Sequence, residues 1–193
     1  GQEGGTALAN IIFGRTNPSG KLPVSFEKKW EDNPVYSNYY DNTGKKAVEY
    51  REKLLLGYRY YDTKDVEPEF PFGFGLSYST FLFEHLKIHK MGKDRIAGNI
   101  DVKNTSKNDG YEVVQVYVHP INPSVSRPVH ELKFFKKVFV KAGKTIKVPF
   151  ILKSDAFSYF NVKLNKWMVD KCKYMVEIGK DSRTIVEKTL VNF

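Results

Sequence analysis

From about residue 80 onward, apolar residues recur in short alternating runs, each closed by a cluster of turn-forming residues. No other pattern in the chain limits its fold as tightly. The runs are Phe81–Lys90, Ile96–Asn104, Tyr111–His119, Phe134–Val140, Ile146–Leu152, Trp167–Val169, Tyr174–Ile178 and Ile185–Leu190. Between them stand Met91-Gly-Lys-Asp94, Ser106-Lys-Asn-Asp-Gly110, Asn122-Pro-Ser124, Ala142-Gly143 and Asn161–Lys166. A period of two sends successive side chains to opposite faces of a strand. About seven such strands at this spacing predict an antiparallel β-sandwich. In Tyr111–His119, Val114, Val116 and Val118 alternate with Val113, Gln115 and Tyr117, so both faces are largely apolar and the strand is expected at the centre of its sheet.

The first 79 residues read differently. Ala7, Leu8, Ile11 and Ile12 have helical spacing and predict a helix over 1–14, with Gly14 as its terminator. Asn17-Pro-Ser-Gly20 is a turn, and Lys21–Phe26 reads as a short strand that Pro23 confines to an edge. A helix and one strand cannot bury enough surface alone. They are expected to complete a domain whose other elements lie outside this sequence, and a start at Gly-Gln-Glu-Gly-Gly, without Met or an apolar leader, fits an internal position in a longer chain. Residues 27–56 mix Pro, Asn, Asp, Lys and Gly with tyrosines, a long irregular connection of the kind that needs a partner surface. In Pro71-Phe-Gly-Phe-Gly-Leu-Ser-Tyr-Ser-Thr-Phe81, two glycines permit a bend that aromatic rings crowd, which predicts a packed junction ahead of the sandwich.

Composition excludes several functional classes. There is no apolar run of about 18 residues, so no membrane partner is expected. The chain carries 31 Lys and Arg against 22 Asp and Glu, a net charge of +9. The lysines are spread from Lys21 to Lys188 and alternate with apolar residues, as in Lys144-Thr-Ile-Lys-Val-Pro-Phe150, so they read as solvent faces of strands and no nucleic-acid partner is expected. The single cysteine, Cys172, permits no internal disulfide and no cysteine-built zinc site, and reads as a core or half-buried thiol. His85 and His89 sit about 13 Å apart along a strand, too far for one metal ion. His119 and His130 flank a proline loop without a ligand partner at motif spacing. Gly75-Leu-Ser-Tyr-Ser79 lacks the last glycine of a nucleophile elbow. Neither a metal nor a cofactor is expected.

Carboxylates and aromatics remain. Paired carboxyl groups can do general acid/base work, and Glu3, Glu49, Glu52, Asp62, Glu67, Glu69 and Glu131 supply candidates without a distinguishing pattern. Glu3 favours a helix start, and Asp62 is placed to orient Arg59 or cap a turn. Trp30, Tyr36, Tyr39 and Tyr40 either stack on sugar rings or pack against a missing domain. Asn104-Thr-Ser106 is a glycosylation sequon, a triplet too common to decide anything.

Several strings resemble the C-terminal part of family 3 glycoside hydrolases, the β-glucosidase and β-xylosidase family. Gly1–Ala9 with Ile12-Phe-Gly14 resembles the last helix of that family's α/β sandwich domain, and Asn17-Pro-Ser-Gly-Lys-Leu-Pro-Val24 resembles the strand after it. Glu49-Tyr-Arg-Glu52 with Leu56-Gly-Tyr-Arg-Tyr-Tyr-Asp62 is similar to the β-glucosidase form of the connection, continued by Glu67-Pro68 and Pro71–Phe81. Gly110–Val118, Arg127–Lys133 with Phe135–Val138, and Lys173–Gly179 resemble strands of the family's fibronectin type III-like domain. Phe134 stands where the family usually has Gly, and Lys171-Cys172 replaces a Pro-Gly turn.

The resemblance implies a mainly β fold: a fibronectin type III-like (immunoglobulin-like) antiparallel β-sandwich over 80–193. Ahead of it come a helix–strand remnant of an α/β domain over 1–26 and a connector over 27–79. It implies a parent enzyme that hydrolyses terminal non-reducing β-D-glucosyl residues with retention, using an aspartate nucleophile in an N-terminal (β/α)₈ barrel and an acid/base in the α/β domain. Both motifs lie upstream of Gly1, so no position here inherits a catalytic, cofactor or metal role, and the segment alone is expected to be accessory and inactive. Its implied partners are the missing barrel and α/β sandwich domains and the parent's β-glucoside or oligosaccharide substrate. Trp30, Tyr39 and Tyr40 are the residues expected near that substrate. Two other readings stay open: a free-standing carbohydrate-binding module, and a subunit completing a split hydrolase. The compartment stays open as well, with a secreted or periplasmic parent as one option.

Overall fold

The computed structural model describes residues 2–40, 44, 49–92 and 94–193. Gly1 of the expected first helix, much of 41–48 in the expected connector, and Lys93 in the expected turn at 91–94 lie outside the described residues.

Among the described residues, nine strands form an antiparallel sandwich and a separate hairpin. They are β1 Phe81–Lys90, β2 Arg95–Asn104, β3 Gly110–Pro120, β4 Glu131–Val140, β5 Thr145–Lys153, β6 Ser158–Asn161, β7 Lys166–Val169, β8 Lys173–Gly179 and β9 Ile185–Asn192. One sheet has the order β1-β2-β5, the facing sheet β4-β3-β8-β9, and β6 pairs only with β7. The core is the set of inward positions on the two sheets. Phe81, Phe83, Ile100, Val102, Val148 and Phe150 come from the first sheet; Val114, Val116, Val118, Val140, Val176 and Ile178 come from the second. β5 keeps the predicted alternation, with Val148, Phe150 and Leu152 buried and Lys147, Pro149 and Lys153 exposed. β3 is central, as its two apolar faces predict: Val114, Val116 and Val118 fill the sandwich, while Gln115 and Tyr117 are buried on the outer side of the sheet.

Residues ahead of β1 cover that outer side. The contacts come from α2 (Tyr58–Thr63) and the segment around Gly73, while α1 (Gly4–Ile12) and a 3-10 turn at Trp30–Asp32 precede them in the chain. The helix expected over 1–14 is α1, and Gly14 follows it at φ +70°. The strand expected at Lys21–Phe26 does not form as one. Pro23 and Pro71 lack N–H groups, and the segment keeps an interrupted set of bonds to residues 69–74: Leu22 N–H to Phe74 O, Gly73 N–H to Leu22 O, and Phe26 N–H to Phe70 O, each 2.8 Å. Among the described residues, twenty hydrophobic residues are buried, and only Tyr61 precedes Phe81. The first 79 residues therefore have no core of their own and are held by what they dock against.

The Pro71–Phe81 string is the packed junction its glycines predict. Gly73 has φ +83°, and a Cβ there would run into the Gln115 side chain. A Cβ on Gly75 would run into the backbone oxygen of Gly20. Asn17 joins both segments to the sandwich. Its Nδ2 donates to Ser79 Oγ (2.8 Å) and Asp109 O (2.9 Å), and its Oδ1 accepts from Ser77 Oγ (3.0 Å) and Tyr78 N–H (2.9 Å).

Candidate functional site

The polar groups that reach from residues 1–79 into the sandwich converge on the outer side of β3 and β8. Asp62 ends the aromatic run of α2 with its carboxylate almost wholly buried, His130 stands just ahead of β4, and Glu177 is on β8. His130 Nδ1 lies 3.1 Å from Asp62 Oδ2, and Nε2 lies 3.3 Å from Glu177 Oε2. His119 Nδ1 is 3.8 Å from the same Glu177 oxygen. Ser182 Oγ donates to Asp62 Oδ1 (3.4 Å), and Arg183 approaches Asp62 at 3.7 Å and Asp65 at 3.0 Å. Backbone bonds frame the cluster: Leu132 N–H donates to Tyr58 Oη (2.9 Å), Val129 N–H to Thr63 Oγ1 (3.2 Å) and Ser182 N–H to Phe72 O (2.9 Å). Gln115 Nε2 donates to Lys180 O (2.6 Å) and Gly73 O (3.3 Å), while its Oε1 accepts from Tyr117 Oη (2.6 Å).

The ion-pair partners of His130 come from α2 and β8, far along the chain from it. This corrects one sequence expectation. Asp62 neither orients Arg59 nor caps a turn; it pairs with His130 and Arg183.

The cluster stores charge. Burial alone would lower the His130 pKa, but the carboxylates of Asp62 and Glu177 outweigh it and push it up to about 9 from 6.5. Burial would raise the Glu177 carboxyl, yet His119 and His130 pull it down to about 2 from 4.5. Burial also drives the Tyr117 phenol far above its ordinary range, so it stays a neutral donor. His130 thus contributes stability that is complete below pH 6.5 and lost as pH rises through about 9. Glu177 contributes stability that is complete above pH 4.5 and lost as pH falls towards about 2. The unfolding free energy should be highest between those limits and fall by on the order of 3 kcal/mol from pH 6.5 to 9. Urea titrations at a series of pH values read this directly; a flat profile over that range would mean that His130 is neutral in the fold.

The aromatic candidates assemble at another place. Trp30 meets Tyr36 and Tyr39 edge to face at 5.9 and 5.7 Å, and Tyr39 meets Tyr40 at 5.0 Å. Trp30, Tyr39 and Tyr40 are 41%, 57% and 71% exposed, so the described residues do not bury them. Successive rings stand nearly perpendicular, which gives a ridge with several faces and not one flat platform.

The carboxylate candidates disperse. Glu49 pairs with Arg51, Glu67 with Lys28, and Glu131 with Arg127 and Lys133. Glu3 stands at the N-cap of α1 without a side-chain cap bond. Among the described residues no group of three or more His, Cys, Asp or Glu side chains could hold a metal ion. His85 and His89 are both exposed, and a bulge in β1 between Glu84 and Lys87 turns His85 to φ +60°, beside Asp101 at 3.3 Å. Cys172 is half-buried against the core, as expected. The sequon asparagine is fully buried: Asn104 Nδ2 donates to Asn108 O (2.8 Å) and Val140 O (2.9 Å), so the folded domain leaves no room for a glycan there.

With this geometry in place, the likenesses to known proteins take on meaning. The family model for the glycosyl hydrolase family 3 C-terminal domain matches residues 1–78, and the model for a fibronectin type III-like domain matches residues 112–182. A thermostable β-glucosidase B from Acetivibrio thermocellus is 44% identical over 194 residues, covering 99% of this chain and 25% of that protein. An exo-α-(1→6)-L-arabinopyranosidase from Bifidobacterium breve is also 44% identical, with the same coverage. The crystal structure of a family 3 β-glucosidase from Bifidobacterium adolescentis superposes with a TM-score of 0.95 at 44% identity, over 100% of this chain and 28% of that one. The chain thus spans about a quarter of the length of the curated relatives it matches.

Proposed function

We propose, because this chain belongs to glycosyl hydrolase family 3 and is homologous to the C-terminal part of its β-glucosidases, that it is the non-catalytic buttress of an enzyme that hydrolyses terminal β-D-glucosides with retention. In this reading residues 1–26 complete an α/β sandwich domain, 27–79 form the connector, and 80–193 are the fibronectin type III-like domain. The nucleophile and the acid/base belong to the enzyme's upstream domains, which are this segment's principal partners.

One observation carries the proposal. Among the described residues of 1–79, Tyr61 and Pro68 are the buried apolar side chains, yet Leu8, Ile12, Phe13, Val24, Leu54 and Leu56 are presented to solvent. Apolar surface on that scale calls for a partner. The dispersal of the carboxylates supports the same view, because a retaining pair must face each other at about 5 Å. The ridge of Trp30, Tyr39 and Tyr40 is assigned to the substrate approach, where exposed aromatic faces can meet a sugar ring. The sugar itself is set elsewhere, since relatives named for glucosides and for arabinopyranosides are equally similar over this segment.

The test is hydrolysis of a chromogenic β-glucoside. The purified chain should give no turnover above the uncatalysed rate, and covalent linkage to the upstream domains of a family 3 enzyme should give normal turnover. Turnover by the chain alone at enzyme-like rates would place catalytic carboxylates within these 193 residues and end the proposal.

A further inference from the structure

We infer a second carbohydrate site, independent of the family reading, in the cavity under the β6–β7 hairpin: a site for a sugar residue that bears a carboxylate, as in a uronate-containing oligosaccharide. The cavity measures about 800 Å³, within the range of small-ligand sites. Its floor is cationic and its wall is aromatic.

The floor begins with Arg127, whose side chain is 2% exposed. Arg127 Nε donates to Glu131 Oε1 (2.8 Å) and Nη1 donates to Phe157 O (2.9 Å). Its Nη2 lies 2.7 Å from the same Glu131 oxygen but has no hydrogen bond of good angle. Lys133 Nζ takes the other oxygen of Glu131 at 2.8 Å. One carboxylate therefore answers two cations. Arg59, from α2, lines the same cavity; its Nε is buried without a hydrogen-bond partner, and it joins no ion pair among the described residues. Lys163 adds a further cation, while Asp155 Oδ1 already accepts from Ala156 N–H at 2.9 Å. A guanidinium without an ion-pair partner among the described residues, lining a cationic cavity, is matched by a carboxylate.

The wall supplies the second half of the specificity. Trp167 and Phe160 stand edge to face at 5.6 Å and both line the cavity, as does Tyr159. Trp167 is 69% exposed, a large apolar face that the sandwich core does not use. Such a face packs on the CH side of a sugar ring. A neutral sugar would use the wall and leave the floor unbalanced; a bare inorganic anion would use the floor and leave the wall unused.

The experiment titrates a uronic-acid trisaccharide, cellotriose and inorganic phosphate separately into the ¹⁵N-labelled chain and follows the backbone amides of the β6–β7 hairpin, which every variant keeps. The expected result is a saturable shift with the uronate, at least tenfold tighter than with cellotriose. Arg59→Gln should weaken it about tenfold, Arg59→Lys less, and Trp167→Ala should weaken it at an exposed position that the fold does not need. Equal affinity for cellotriose, an equal shift with phosphate, or an unchanged titration in folded Arg59→Gln would each overturn the inference.

Discussion

Replacing His130 by alanine should lower the unfolding free energy by about 3–5 kcal/mol, because it strands Asp62 and Glu177 as buried carboxylates with no cation between them. The same change should also remove most of the decline in stability between pH 6.5 and 9, since that decline belongs to the His130 proton. The two readouts separate an electrostatic role from simple packing. His130→Phe keeps the ring's volume and should lose as much stability as alanine, while a loss below about 1 kcal/mol in either variant would show that solvent already screens the pair. Urea unfolding at pH 6 and pH 9 gives both numbers.

Phe157→Ala should cost a similar amount, about 3–5 kcal/mol, for a different reason. Phe157 ends α3 (Ser154–Phe157) and is completely buried at one end of the sandwich. It stacks on Phe193 at 4.1 Å and meets Tyr174 edge to face at 5.0 Å. Truncation leaves a cavity that three separate segments would have to close together, and the sheets on either side cannot follow. Phe157→Leu, which keeps most of the volume, should cost less than half as much. Equal losses for both variants would mean that ring stacking and not volume sets the cost. Thermal unfolding of the whole chain distinguishes the two cases, and the loss relative to the unsubstituted chain should be the same at pH 6.5 and 9 for both, whereas the loss in the His130 variants should shrink over that range.

The contrast between these sites explains which parts of the molecule were legible in the sequence. The sandwich was, because each strand pays one face to the core and the alternation survives in the letters: Val148, Phe150 and Leu152 in β5 are legible one residue at a time. β6 and α3 were not. Ser154-Asp-Ala-Phe-Ser-Tyr-Phe160 changes direction after four residues and completes neither a helical nor a strand period. α2 was missed because Tyr58-Arg-Tyr-Tyr-Asp-Thr63 is short and aromatic, and tertiary contacts hold it where propensity would not. Lys21–Phe26 erred in the other direction, since its apolar alternation is real but two prolines break the ladder. Phe134, the residue at a position where glycine is usual, packs on Phe150 at 5.9 Å beside a register shift in the pairing of β3 and β4. The buried charge cluster left no local trace: Asp62 and His130 stand 68 residues apart, and no spacing rule joins them.

The partners of Asp62 also fix an order of events. Its ligands are His130 ahead of β4 and Ser182 and Arg183 after β8, and the Phe72 carbonyl likewise waits for the Ser182 amide. Contacts across such sequence separations form late, since loop closure must be met before they return any energy. During synthesis, the segment around α2 emerges long before the surface that will hold it, and stays undocked until Ser182 and Arg183 have left the ribosome. The sandwich therefore acts as a checkpoint on the docking of what comes before it: only a chain translated through Ser182 can clamp the residues around α2.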